Sequence, residues 1–152
     1  MDVIVGEHDA SSGEDGTRHT VCGTTSHPKY DANTTNYDFA IVRLSKPVEL
    51  GSRAVPACLP DAETFGEDAL VGKTLTVSGW GRTIYQGSQS VVLKTIDVPG
   101  ISNKDCQEDY RHYGEDTITD AMLCAESAPR GEDGGVCQGD SGGKIMNKCT
   151  RK

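Results

Sequence analysis

Short β-branched runs broken by turn-forming residues constrain this chain more than any other feature. Val3-Ile4-Val5, Phe39 to Leu44, Leu75-Thr76-Val77, Val91-Val92-Leu93 and Ile96-Asp97-Val98 are separated at short intervals by Gly, Pro, Asn and Asp. Such punctuation predicts an all-β protein. One segment departs from it. Ser102 to Tyr113 begins with Ser102-Asn103-Lys104-Asp105, which supplies an N-cap and an early acidic residue, and Gly114 supplies a stop, so one short helix is expected there. Val55 to Thr64, with Pro56 and Pro60 among polar residues, reads as a connection between two β-rich halves. The expected organisation is therefore 1–60, 61–143 and a tail over 144–152, which turns basic in an otherwise acidic chain and shows no strand alternation.

Composition excludes several classes. With 152 residues, 35% hydrophobic and 25% charged, the chain matches a folded globular protein rather than a disordered one. No run approaches the roughly 18 apolar residues of a membrane-spanning helix, and no charged-then-apolar opening marks a signal peptide, so no membrane partner is expected. The formal net charge of −8 lacks the basic footprint that phosphate contacts require, which argues against nucleic acid as a partner. Six cysteines, Cys22, Cys58, Cys106, Cys124, Cys137 and Cys149, favour an oxidising, extracellular setting. Metal binding explains them less well, because there is no Cys-x-x-Cys pair and His8, His19, His27 and His112 fall at no zinc-finger interval.

The chemistry-bearing segment is Cys137-Gln138-Gly139-Asp140-Ser141-Gly142-Gly143. It resembles the nucleophile segment of the chymotrypsin/trypsin family of serine endopeptidases, and other stretches agree with that family in order. Asn36 to Leu44 resembles the strand carrying the catalytic Asp, and Val55-Pro56-Ala57-Cys58-Leu59-Pro60 the inter-barrel link. Ser78-Gly79-Trp80-Gly81-Arg82 resembles the start of the second barrel, and Asp120 to Ala125 the strand before the specificity pocket. The resemblance implies a partial chymotrypsin-like double antiparallel β-barrel that acts on polypeptides and is a target for protein inhibitors.

Physical reasoning runs beside the resemblance. A serine hydroxyl is a weak nucleophile near neutral pH and needs a base within hydrogen-bond reach. By resemblance Ser141 is that nucleophile, Asp38 orients the base, and the amides of Gly139 and Ser141 form an oxyanion hole, where losing one donor costs ~10²–10³ in rate. Asp38 lies amid Tyr37, Phe39, Ala40 and Ile41, so a partly desolvated carboxylate is expected there. Asp140 matches the carboxylate that pairs with the ammonium freed by zymogen cleavage.

The family's histidine precedes its Asp in a segment resembling Ala-Ala-His-Cys, and the chain has none. Each of its histidines reads as a surface or structural residue. Ile4-Val5-Gly6-Glu7 imitates the family's activation N-terminus but stands too close to Asp38 for that role, and Val3 to Val5 is read as an interior strand of the first barrel. The match ends at Gly143, and truncation at both ends is expected. The expected parent function is serine endopeptidase with this chain inactive; the alternative is a non-catalytic homologue acting as a secreted binding protein.

Gly135, where trypsin-like members carry Asp, together with Val136 and Gln138, implies a specificity pocket suited to an uncharged side chain. By resemblance Cys106 pairs with Cys124, a bridge whose entropic stabilisation is on the order of 3 kcal/mol, and no second bridge is expected to close within the chain. Asn33-Thr34-Thr35 is an N-glycosylation sequon in a polar loop. Glu7, Asp9 and Glu14 resemble part of the family's calcium loop; otherwise no cofactor is expected.

Overall fold

The structure is a computed structural model, and it describes residues 1–11, 15–60, 67–84, 86–114, 117–126 and 135–147. The first half carries β1 (Asp2–Val5), β2 (Thr17–Ser26) and β3 (Ala40–Leu44). They form an antiparallel sheet in the order β1-β2-β3, with Ile4 opposite Arg18 and Val42 opposite Thr24. A bulge between Val21 and Gly23 shifts the β2–β3 register, which bends the strand and begins to curl the sheet.

The second half holds a short helix α1 (Glu67–Leu70), β4 (Thr74–Gly79), β5 (Lys94–Ile101), α2 (Asn103–Tyr110), β6 (Cys124–Ala125) and β7 (Ile145–Asn147). Its sheet order is β6-β5-β4-β7, antiparallel throughout. Alternation along β4 and β5 turns Leu75, Val77 and Val98 to one face, where they join Leu70 to make the apolar core. Each is 5% exposed or less. These curled antiparallel sheets are a partial chymotrypsin-like double β-barrel.

The helix forms where its cap predicts. Ser102 Oγ accepts from the Asp105 amide at 3.0 Å, and α2 runs into a 3-10 turn, Arg111–Tyr113, closed by Gly114. Cys106 on α2 is bridged to Cys124 on β6, which pins the helix to the sheet edge.

Four expectations are corrected. Val91-Val92-Leu93 is no strand but one isolated bridge, Val92 to Asp9, flanked by Ala10 N–Val91 O and Leu93 N–His8 O bonds of 2.7 and 2.8 Å. The run docks on the first half through these backbone bonds, and Val91 stays exposed. The segment after Gly143 does contain a strand, since Ile145 and Met146 pair with Val77 and Thr76 of β4. Helix α1 adds to the single helix expected. Cys58 is also disulfide-bonded, so Cys106–Cys124 is not the sole bridge; Cys22 and Cys137 are free thiols, and Cys149 lies outside the described residues.

Candidate functional site

The segment 137–143 folds as two successive turns. Asp140 N donates to Cys137 O at 3.1 Å, and Gly143 N donates to Asp140 O at 2.9 Å. Gly139 has φ +101° and Gly142 φ +80°, conformations that a side chain disfavours. The Asp140 carboxylate is the hub. Its Oδ1 accepts from Gly81 N at 2.8 Å and its Oδ2 from Cys137 N at 3.0 Å. A methyl group at Gly79 or Gly81 would collide with that carboxylate, so the Gly-Trp-Gly sequence closing β4 is shaped to receive it. A third bond, Arg82 N to Gln138 O at 2.9 Å, completes the docking. Ser141 is left exposed at the tip, and neither its amide nor that of Gly139 donates to an acceptor among the described residues.

Asp38 sits on a separate device. Phe39 N donates to Tyr37 O at 2.8 Å, a γ-turn centred on Asp38 just ahead of β3, and Tyr37 itself has φ +54°. His27 braces the turn by stacking on Tyr37 at 4.8 Å with an interplanar angle of 9°. The desolvation expected of Asp38 is corrected: its side chain is exposed, because Phe39 and Ile41, at 58% and 66% exposure, do not cover it.

These two devices meet. A cleft of about 450 Å³ is lined by Ser26, Tyr30, Asp38, Phe39, Gly142 and Gly143 among others. The structure thus brings Asp38 and the segment around Ser141 to one opening, although neither sequence segment announces the other. No histidine lines it. His27 is stacked away, with Nδ1 accepting from Lys29 N at 3.2 Å, and His19 lies in β2 opposite Val3. His112 belongs to the 3-10 turn, and His8 is exposed while its carbonyl accepts from Trp80 Nε1 at 3.2 Å.

Gly135 and Val136 line a second cavity, of about 360 Å³, together with Gly81, Arg82, Lys94 and Asp140. Its wall mixes apolar Val77 and Ile96 with these charged groups, and Gln138 is not among its lining residues. The docking role of Gly79 and Gly81 escapes sequence reasoning, because Ser78 to Arg82 shows only its resemblance to the start of the second barrel and nothing local points to Asp140. So does the Thr119 Oγ1 to Asn36 Oδ1 bond of 2.8 Å, which ties the Asp38 loop to the second half.

Of the acidic loop, Glu7 and Asp9 are among the described residues. Glu14 lies outside them, and no group of three or more His, Cys, Asp or Glu suited to a metal occurs among them. Asp15 is held by Arg53, whose Nη1 donates to its Oδ1 at 3.0 Å and also to its carbonyl oxygen. Glu7 keeps two buried carboxylate oxygens without a hydrogen-bond partner. The Ser11 hydroxyl and amide hold the Asp9 carboxyl below its ordinary 3.8, and the Asp9 amide followed by Arg53 does the same for Asp15. A lowered folded value means stability that is complete above 3.8 and lost as the pH falls below it. Unfolding midpoints measured from about pH 5 down to pH 2 should decline across this window, and Asp15→Asn should flatten the decline. An Asp15→Asn profile that overlays wild type would refute the assignment.

Comparison with known proteins agrees with this geometry. The family model described as Trypsin matches residues 1–150. The chain is 36% identical over 150 residues to Serine proteinase stubble of Drosophila melanogaster, covering 96% of this chain and 18% of that protein. It is 40% identical over 124 residues to Trypsin 5G1 of Aedes aegypti, covering 82% and 44%. Venom serine protease Bi-VSP of Bombus ignitus is 35% identical over 120 residues, covering 79% and 33%. The chain spans less than half the length of each of these relatives. With the Asp38 turn and the Ser141 loop facing one cleft and a family match along almost its whole length, the chain belongs to the trypsin family of serine proteases.

Proposed function

We propose that this chain carries the Asp and Ser segments of a secreted serine endopeptidase, and that the 152-residue polypeptide by itself does not turn over peptides. The observation that carries this reading is the cleft shared by Asp38 and Gly142-Gly143, with Ser141 exposed beside it. In the reaction, Ser141 Oγ adds to the scissile carbonyl carbon as its proton passes to a base. The carbonyl oxygen gains negative charge and is received by the uncommitted amides of Gly139 and Ser141. Collapse expels the amine and leaves an acyl ester on Ser141, which water then hydrolyses. Asp38 would orient the imidazole that serves as base. No histidine of this chain reaches the cleft, which supports both the inactivity of the polypeptide and the second reading, a non-catalytic homologue that binds protein partners.

Asp140 fits the activation carboxylate. It lines the 360 Å³ cavity, and each of its oxygens accepts from one backbone amide and keeps a lone pair for an arriving ammonium. Protein inhibitors of such enzymes, an extracellular location suited to the disulfides, and a preference set by Gly135 and Val136 belong to the same proposal.

A fluorophosphonate probe and a peptide ester test it. The 152-residue chain should show no labelling or turnover above Ser141→Ala, whereas a longer product of the same gene that supplies a histidine should label at Ser141. Rapid labelling of the 152-residue chain, abolished by Ser141→Ala, would overturn its inactivity. A longer product carrying that histidine yet refusing the probe would favour the binding protein.

A further inference from the structure

The sequon Asn33-Thr34-Thr35 occupies the tip of a loop whose base is fastened on three sides. Asp31 N donates to Asn36 O at 3.2 Å, Asn36 accepts from Thr119 at 2.8 Å, and Tyr37 stacks on His27. Within the tip, Asp31 Oδ1 accepts from Asn33 N at 2.9 Å and from Asn33 Nδ2 at 3.2 Å. Asn33, Thr34 and Thr35 are all exposed. The loop begins at Tyr30 and ends at Asp38, and both of these residues line the 450 Å³ cleft. A group attached at Asn33 is therefore carried on a braced platform beside that opening.

We propose that Asn33 is an N-glycosylation site whose glycan covers the Tyr30–Asp38 rim of the cleft. The side-chain amide has two hydrogens, and Asp31 engages one. In the transfer, Nδ2 forms a bond to the anomeric carbon of an oligosaccharide supplied by a lipid-pyrophosphate donor. The C–O bond to pyrophosphate breaks, the lipid pyrophosphate leaves with the electron pair, and one amide proton is lost. The product amide keeps one N–H, enough to retain the Asp31 bond, so glycosylation removes no hydrogen bond that the loop uses. A glycan is bulky, hydrated and surface-bound, and this position offers it open solvent on one side and the cleft on the other. Its consequence for substrate selection rests on the protease reading: extended peptides would enter and folded proteins would be held off. Occupancy and shielding do not rest on that reading.

The test uses the full 152-residue chain secreted from insect cells behind an added signal peptide. Wild type and Thr35→Ser should carry a mass increment on the peptide containing Asn33 that an amidase specific for N-glycans removes. Asn33→Gln and Thr35→Ala should lack it. Nicking by added trypsin after exposed Lys29, next to Tyr30 at the start of the loop, should be several-fold slower in the glycosylated protein than in the enzyme-deglycosylated one. Cleavage after Arg53, in the turn bridged by Gly51 and Ala54, should be unchanged and serves as control. An unmodified Asn33 in secreted protein overturns the site, and equal nicking at Lys29 overturns the shielding. Neither readout needs catalysis at Ser141, so the failure of either is separate from failure of the protease assignment.

Discussion

Replacing Asp140 by Ala should lower the unfolding free energy by about 2–4 kcal/mol, read from urea denaturation with the disulfides intact. The carboxylate accepts from the amides of Gly81 and Cys137 in a part-buried setting. Hydrogen bonds to a charged group contribute about 1.5–3 kcal/mol each, and deletion strands the two donors over the space that Gly79 and Gly81 leave for the missing side chain. Asp140→Asn keeps the volume and one acceptor oxygen, so its loss should fall near half that of Ala. Hydrogen exchange at Gly81 and Cys137 should accelerate in the same order. An unchanged midpoint in Asp140→Ala would mean that the Ser141 loop is not docked through this side chain.

The other large effect lies in the core. Leu75 is 3% exposed and packs with Leu70, Val77 and Val98, so Leu75→Ala should cost about 2–5 kcal/mol through lost transfer energy and the cavity left behind. Ile41→Ala in the first sheet, at 66% exposure, should stay within about 0.5 kcal/mol. If Leu75→Ala fails to accumulate folded protein, Leu75→Val gives a smaller step in the same direction. Equal costs at positions 75 and 41 would contradict the placement of the core in the second half alone.

Much of this architecture can be read from residue order. β1, β3, β4 and β5 fall on β-branched runs; in β4 and β5 the buried positions recur two residues apart, whereas β3 is exposed over Ala40 to Arg43. Strand β2 is only weakly marked between His19 and His27: it is Thr-rich, carries Val21 as its one large aliphatic residue, and is paired on both sides by β1 and β3. The run Val91 to Leu93 misleads because its β-branched residues make one isolated bridge and backbone bonds to the first half rather than a strand. Helix α2 was legible because Ser102 and Gly114 mark its ends in local chemistry. At the site, Ser141 and Asp38 could be named from their segments, and their convergence on one cleft followed only from the resemblance, since no local residue pattern encodes how two sheets are set side by side. The exposure of Asp38 depends likewise on what fails to cover it.

The setting of those two sheets has a consequence for motion. All five buried hydrophobic residues described belong to the second half, from Leu70 onward, and the first half meets it through polar bonds: Ala10 to Val91, Leu93 to His8, Trp80 to His8 and Thr119 to Asn36. Each such bond can be traded for one to water at a net cost of only about 0.5–1.5 kcal/mol. The seam is therefore expected to resist relative displacement of the two halves less than either sheet resists distortion, and Asp38 lies on one side of it and Ser141 on the other.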